Sequence, residues 1–201
     1  MEKVALNTRQ LDQLTFHHPT LAPYFGGTHP CDGIPDPAKV SHPQGFIVNT
    51  DPSDLPGRHW LGVWIEENKC ELFDSFGLDL ELYETADPLI KWLDQFSFVK
   101  RNGKSVQSLY DQSCDDYALM FLVAKSQDET MREFEKRFPT NYVANDRKVG
   151  EFIKNLIAKE RRWQEEARLY DEVDGPRKKK TIQGSPRSLG GVRHLIPSES
   201  E

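Results

Sequence analysis

Apolar residues fall in short clusters along the chain. Three clusters have strand character: residues 45–49 (GFIVN), 59–65 (HWLGVWI) and 69–73 (KCELF). They are rich in β-branched and aromatic side chains, which suit a pleated, half-buried surface. Glu66-Glu67-Asn68 separates the second from the third and predicts a hairpin turn. Residues 97–100 and 104–106 flank Asn102-Gly103, a strong two-residue hairpin signal whose loop Arg101 lengthens. Residues 3–14 predict a short amphipathic helix carrying Val4, Leu6, Leu11 and Leu14. Residues 17–43, rich in Pro, Gly and His, read as loop. Residues 78–96 predict a helix broken or restarted at Pro88.

Beyond residue 114 the period changes. Residues 115–125 (DDYALMFLVAK) are apolar almost all round, so this helix is expected to be deeply buried. Residues 126–138 predict a further helix, with Ser126 as N-cap and Glu129 completing a capping box. Asn145 is placed to cap a last helix, whose Val149, Phe152, Ile153, Leu156 and Ile157 recur at helical spacing and which extends to about Tyr170. The expected class is α+β: a small central mixed sheet flanked by helices. At Gly175-Pro176 the composition shifts, giving a domain over residues 1–175 and a basic, disordered tail over 176–201.

Charge follows the same boundary. The tail carries six Lys/Arg and two acids, against 20 basic and 30 acidic residues before it. An acidic body does not suit a general nucleic-acid binder. The Arg177–Lys180 run reads either as a nucleic-acid contact or localisation signal, or as a solvated tail. No run of 18 apolar residues exists, so no membrane helix is expected. The polar start MEKVALNTRQLDQL lacks a signal-peptide core. Three cysteines, Cys31, Cys70 and Cys114, are an odd, sparse set, which points to free thiols in a reducing, intracellular setting. No Cys/His pair has zinc spacing, so no metal is expected.

Cys114 stands just before the buried helix. There the unpaired N–H groups and the helix dipole favour a thiolate, the nucleophilic form; a small buried core residue is the alternative. Of six histidines only His59 opens a predicted strand, where a rigid element can hold a general base. Asp74 ends the neighbouring strand. If the two strands pair through their short turn, Asp74 comes close to His59 and can orient it. Gln107, seven residues before Cys114, can supply a side-chain amide to an oxyanion alongside the Cys114 N–H. Gln112 is the rival.

The order His-Trp, acid, Gln, then Cys before an apolar helix resembles the adenovirus-protease (adenain) family and the related SUMO-specific proteases. Pro23 to Thr28, Ile47 to Thr50, Arg58-His59-Trp60, Leu72 to Gly77 and Val106-Gln107-Ser108 carry the likeness, over roughly residues 10–125. It implies a papain-like cysteine endopeptidase cutting Gly-containing sites in viral precursor proteins during virion maturation, in the host nucleus or cytoplasm or packaged in the virion. It assigns His59 as base, Asp74 as acid, Gln107 as oxyanion donor and Cys114 as nucleophile, with Trp60 beside the site. Protein or peptide substrates and a monomeric state follow. Two glycine-containing tail stretches, residues 182–185 and 189–191, resemble processing sites of the family.

Three positions depart from the pattern. Asp115 follows the nucleophile where the family has Gly; at a substrate-contacting position it adds a side chain and a charge that disfavours a neighbouring thiolate. Phe96 stands where the family binds an activator peptide by disulfide, so no cofactor is required and any activator peptide acts non-covalently. The acidic body argues against activation by DNA. Besides endopeptidase, the residues leave open a deubiquitinase- or SUMO-protease-like isopeptidase, and a catalytically silent peptide-binding module.

Overall fold

The computed structural model describes Leu6 and residues 8–174. Helices are α1 (Thr8–Phe16), α2 (Asp87–Leu93), α3 (Cys114–Lys125), α4 (Met131–Lys136) and α5 (Tyr142–Asp174). Strands are β1 (Phe25–His29), β2 (Gln44–Asn49), β3 (Trp60–Glu66), β4 (Lys69–Phe73) and β5 (Phe98–Arg101). They form one sheet in the order β1-β2-β3-β4-β5. The inner pairs β2/β3 and β3/β4 are antiparallel, the outer pairs β1/β2 and β4/β5 parallel. The class is α+β with a mixed sheet. The chain divides into two units, Met1–Glu165 and Glu166–Glu201; of the second, the described part is the end of α5, and the expected tail over 176–201 lies outside the described residues.

The period-2 pattern of β3 sorts its side chains to two cores. Leu61, Val63 and Ile65 join Phe46, Val48, Leu72, Leu89 and Trp92 on the α2 side. Trp64, with Ile47 and Phe73, meets α1, α3, α4 and α5 on the other. Helix α3 lies against this second face with every residue from Tyr117 to Ala124 buried. Gly62 permits that approach: a Cβ there would sit 2.6 Å from Phe121 Cδ1 and 3.2 Å from the Ala118 carbonyl oxygen.

Several expected elements are redrawn. Residues 25–29 form a strand inside the expected loop, recruited by parallel pairing with β2. The expected helix over 78–96 shrinks to a 3-10 turn at Leu80–Leu82 and to α2, which begins beside Pro88, where a missing N–H costs nothing. The expected hairpin at Asn102-Gly103 does not form, because β5 pairs in parallel with β4 instead. Ser126 ends α3, donating to the Val123 carbonyl. The capping box belongs to Thr130 and Glu133, which open α4. Asn141 accepts from Ala144 N at the start of α5, and Asn145 turns inward to donate to the Val106 and Pro139 carbonyls.

Candidate active site

His59 lies just ahead of β3, where its carbonyl accepts from Thr50 N at 2.9 Å and extends the β2/β3 ladder by one rung. The preceding Arg58 is forked onto Asp51, which also accepts from Thr85 Oγ1. The imidazole is thus carried by strand and loop together, and is 4% exposed. Its Nε2 donates to Asp74 Oδ1 at 2.7 Å. The rings of Phe76 and Tyr83 lie nearly parallel to it, with centroids 4.7 and 5.3 Å away.

Asp74 follows β4 directly, as pairing of the two strands through the short turn requires. Its carboxylate accepts four hydrogen bonds: from His59 and Phe76 N at Oδ1, and from Leu78 N and Tyr83 Oη at Oδ2. Its backbone is held by one side chain, since Asn102 Oδ1 accepts from Asp74 N at 2.8 Å and Asn102 Nδ2 donates to Asp74 O at 2.6 Å. Gly77, at φ 61°, closes the turn by donating to the same Asp74 carbonyl. That φ is one that side chains other than glycine's rarely adopt.

These partners set the charge states. Burial alone raises the Asp74 pKa, but the hydrogen bond from His59, its positive charge and the Tyr83 and Phe76 donors outweigh it and hold the carboxyl below its ordinary value. Burial likewise opposes a charged His59. The Asp74 hydrogen bond, the Cys114 side chain and the Asp74 charge prevail, raising the imidazole to about 9. It is therefore protonated at neutral pH.

Cys114 is the first residue of α3 and is half-buried, whereas Cys31 and Cys70 are buried. Burial and then Asp32 push Cys31 up to about 11; burial also raises Cys70. The Cys114 side chain interacts with the imidazole, although His59 Nδ1 makes no hydrogen bond of ordinary geometry. With Nε2 taken by Asp74, Nδ1 is the ring nitrogen left to the thiol.

Gln107 is buried and oriented at both ends of its amide. Ser75 Oγ donates to Oε1 at 2.5 Å, and Nε2 donates to the Asp111 carbonyl at 2.8 Å. An amide nitrogen carries two hydrogens, so one remains for a further acceptor. The backbone N–H groups of Val106 and Gln107 both donate to the Ser75 carbonyl, which ties this segment to the Asp74 turn. Gln112, the rival, is exposed. Trp60 is half-buried and packs against the core under α3. Asp115, expected at a substrate-contacting position, is 0% exposed and accepts from Leu6 N at 2.6 Å. It offers a bound peptide no surface, because its carboxylate turns inward with the first turn of α3.

Tyr83, Ser75, Phe76 and Asn102 join the site without having been singled out for it by the sequence. Ser75 and Phe76 lie in the Leu72 to Gly77 stretch, where the sequence assigns a role to Asp74 alone; Tyr83 has no signal of its own, and Asn102 only a turn signal. A cleft of about 280 Å³ beside His59 is bounded by Thr50, Arg58, Leu82, Tyr83 and Glu84. A larger hollow of about 620 Å³ is lined by Leu6, Tyr110, Asp116 and Ile153 among others, and by none of His59, Asp74, Gln107 and Cys114. Among the described residues no group of three or more His, Cys, Asp or Glu could hold a metal ion, and no helix is long and apolar enough to cross a membrane.

The sequence matches no protein-family model and no curated protein. Among solved structures, the ASFV pS273R protease superposes with a TM-score of 0.34 at 21% identity, over 52% of this chain and 43% of its own. ChlaDub1 from Chlamydia trachomatis gives 0.41 at 19%, over 59% and 60%. The Legionella pneumophila effector RavZ gives 0.28 at 12%, over 90% and 57%. The chain thus spans less than two thirds of the length of each.

Proposed function

We propose that this chain is a cysteine peptidase acting on protein or peptide substrates. The observation that carries the reading is one imidazole shared between a buried carboxylate and the accessible thiol at a helix start. Asp74 fixes the ring through Nε2 and stabilises its charged form. Nδ1 then holds the proton that Cys114 gives up.

In the acylation step Cys114 Sγ bonds to the scissile carbonyl carbon, and the C=O electron pair moves to oxygen. The Cys114 N–H and the remaining Nε2 hydrogen of Gln107 meet that oxyanion. His59 passes its Nδ1 proton to the leaving nitrogen, the C–N bond breaks and a thioester remains. Water then attacks the thioester carbon and gives a proton to Nδ1. The C–S bond breaks, releasing the carboxylate product and Cys114.

The finer reading rests on the adenain-like segments within residues 10–125. Substrates are extended chains with Gly beside the cut, as in the maturation of viral precursor proteins. No cofactor is needed, and any activator peptide binds without a disulfide.

The test is labelling by an acyl-Gly-Gly chloromethyl ketone, read by intact mass. Wild type should take one label, Cys114→Ala none, and His59→Ala should label about 10² to 10⁴ times more slowly. Labelling that survives in Cys114→Ala would overturn the reading. A panel of Gly-containing peptides and modifier conjugates then separates endopeptidase from isopeptidase, and binding without turnover would mark a silent module.

A further inference from the structure

The buried carboxylate of Asp115 sits one residue past the thiol, and one group that meets it comes from 109 positions away: Leu6 N–H donates to Oδ2 at 2.6 Å. Leu6 belongs to the segment ahead of α1 and packs its side chain on the core beneath α3. Helix α1 is seated in the same core, since Leu11 and Leu14 are buried there with Tyr117 and Ala118. Ser113, the residue before α3, makes no capping hydrogen bond with its side chain. The first turn of α3 therefore lacks the usual side-chain cap. Its direction is set in part from outside, through Asp115.

We propose that Asp115 is a positioning residue for Cys114, and that it works by clasping the backbone N–H of Leu6. The inference rests on the reading of Cys114 as nucleophile. A carboxylate removed from water and held by a short, charge-assisted hydrogen bond has one orientation. That orientation fixes the peptide unit between Cys114 and Asp115, and with it the Sγ position and the Cys114 N–H that faces the oxyanion. The clasp touches no substrate. Its loss should slow the chemical step and leave substrate binding unchanged.

The decisive variant is Leu6→Pro, which deletes the N–H and leaves Asp115 intact. The control for an added proline is Thr8→Pro, at the first, exposed position of α1, where proline is tolerated. The probe is the acyl-Gly-Gly chloromethyl ketone, whose reaction passes through an oxyanion. Leu6→Pro should lower the maximal labelling rate about tenfold or more, the scale of one lost hydrogen bond to a charged group, with the half-saturating probe concentration unchanged. Thr8→Pro should label like wild type. Asp115→Asn keeps an uncharged acceptor and should fall between. Asp115→Ala, which removes every interaction of the carboxylate, should be at least as slow as Leu6→Pro, and adding Leu6→Pro to it should slow it no further.

Wild-type labelling that is absent, or that persists in Cys114→Ala, would sink the nucleophile itself. Normal wild-type labelling with an equal rate in a folded Leu6→Pro would sink the clasp alone. If Leu6→Pro does not fold, Asp115→Asn decides: a wild-type maximal rate, or a loss seen only in probe affinity, overturns the proposal.

Discussion

Tyr83 donates its hydroxyl hydrogen to Asp74 Oδ2 at 2.7 Å while its ring lies within 15° of parallel to the imidazole that the same carboxylate holds. One side chain thus restrains both members of the pair. Tyr83→Phe keeps the ring and removes the hydrogen bond. It should cost about 1–2 kcal/mol at neutral pH, since the bond is to a charged, buried group. Asp74 titrates below its ordinary range, so its contribution is present above the unfolded carboxyl pKa and fades as pH falls through the folded one. The gap between wild type and Tyr83→Phe in urea denaturation should therefore narrow on acidification below about pH 4.

His59 behaves in the opposite sense. Its folded pKa of about 9 lies above the ordinary 6.5. The folded state holds the extra proton between those values, so the stability is complete below pH 6.5 and is lost as pH rises through 9. The span corresponds to about 3 kcal/mol. Wild type should lose that amount between pH 6 and 10, and His59→Gln should not. The labelling rate of Cys114 should fall on the same alkaline limb.

Gln107 and Ser75 should separate by magnitude. On the proposed mechanism Gln107→Ala removes an oxyanion donor and should lower kcat about 10²- to 10³-fold with KM little changed. Ser75→Ala leaves the amide in place and frees its Oε1 end. A loss of about threefold to tenfold is expected, the scale of one neutral hydrogen bond. Equal losses would mean that Ser75 does more than orient Gln107.

Thiol accessibility gives a direct count. Brief iodoacetamide treatment of the folded protein should modify Cys114 alone, because Cys31 and Cys70 are buried. Three alkylations should appear only in denaturant. Peptide mapping that finds native modification at Cys31 or Cys70 would contradict the packing of the α2-side core.

Gly62→Ala should be felt at a distance. The new Cβ would overlap Phe121 and drive α3 away from the sheet, costing about 1–3 kcal/mol. Because α3 begins at Cys114, labelling should slow as well as melting temperature fall.

Each of the four candidate residues sits at a landmark of the chain, and that is what let the sequence nominate them. His59 abuts a strand, Asp74 ends the next, Cys114 opens a helix with no polar face, and Gln107 precedes it by seven residues. Their supports were not legible. Asn102 reads as a turn residue, and only the parallel β4/β5 pairing turns its amide onto Asp74. Tyr83 lies in a segment whose spacing suggests helix, until the 3-10 turn at Leu80–Leu82 and Pro88 break it. Strand β1 is masked by Gly26 and Gly27, and its partner strand, not its own pattern, makes it extended. Residues 126–133 contain two capping boxes, Ser126 with Glu129 and Thr130 with Glu133. Ser126 is already committed to the end of α3, so the second box starts the next helix. Asp115 was misplaced because Leu6, whose N–H it accepts, is too far along the chain for any local pattern to reveal.

Asn102 also gives the molecule a chemical shelf life. An Asn followed by Gly is the pair in which the next peptide nitrogen most easily displaces the side-chain ammonia, leaving aspartate or its isomer after hydrolysis. Here the Nδ2 that would depart is the donor to the carbonyls of both Asp74 and Lys104. An oxygen in its place would face those two oxygens with negative charge, and the backbone of the residue that holds His59 would lose its brace. Ageing of the protein at this one bond would thus loosen the His59–Asp74 pair, and with it the proposed chemistry, before it registered as lost fold.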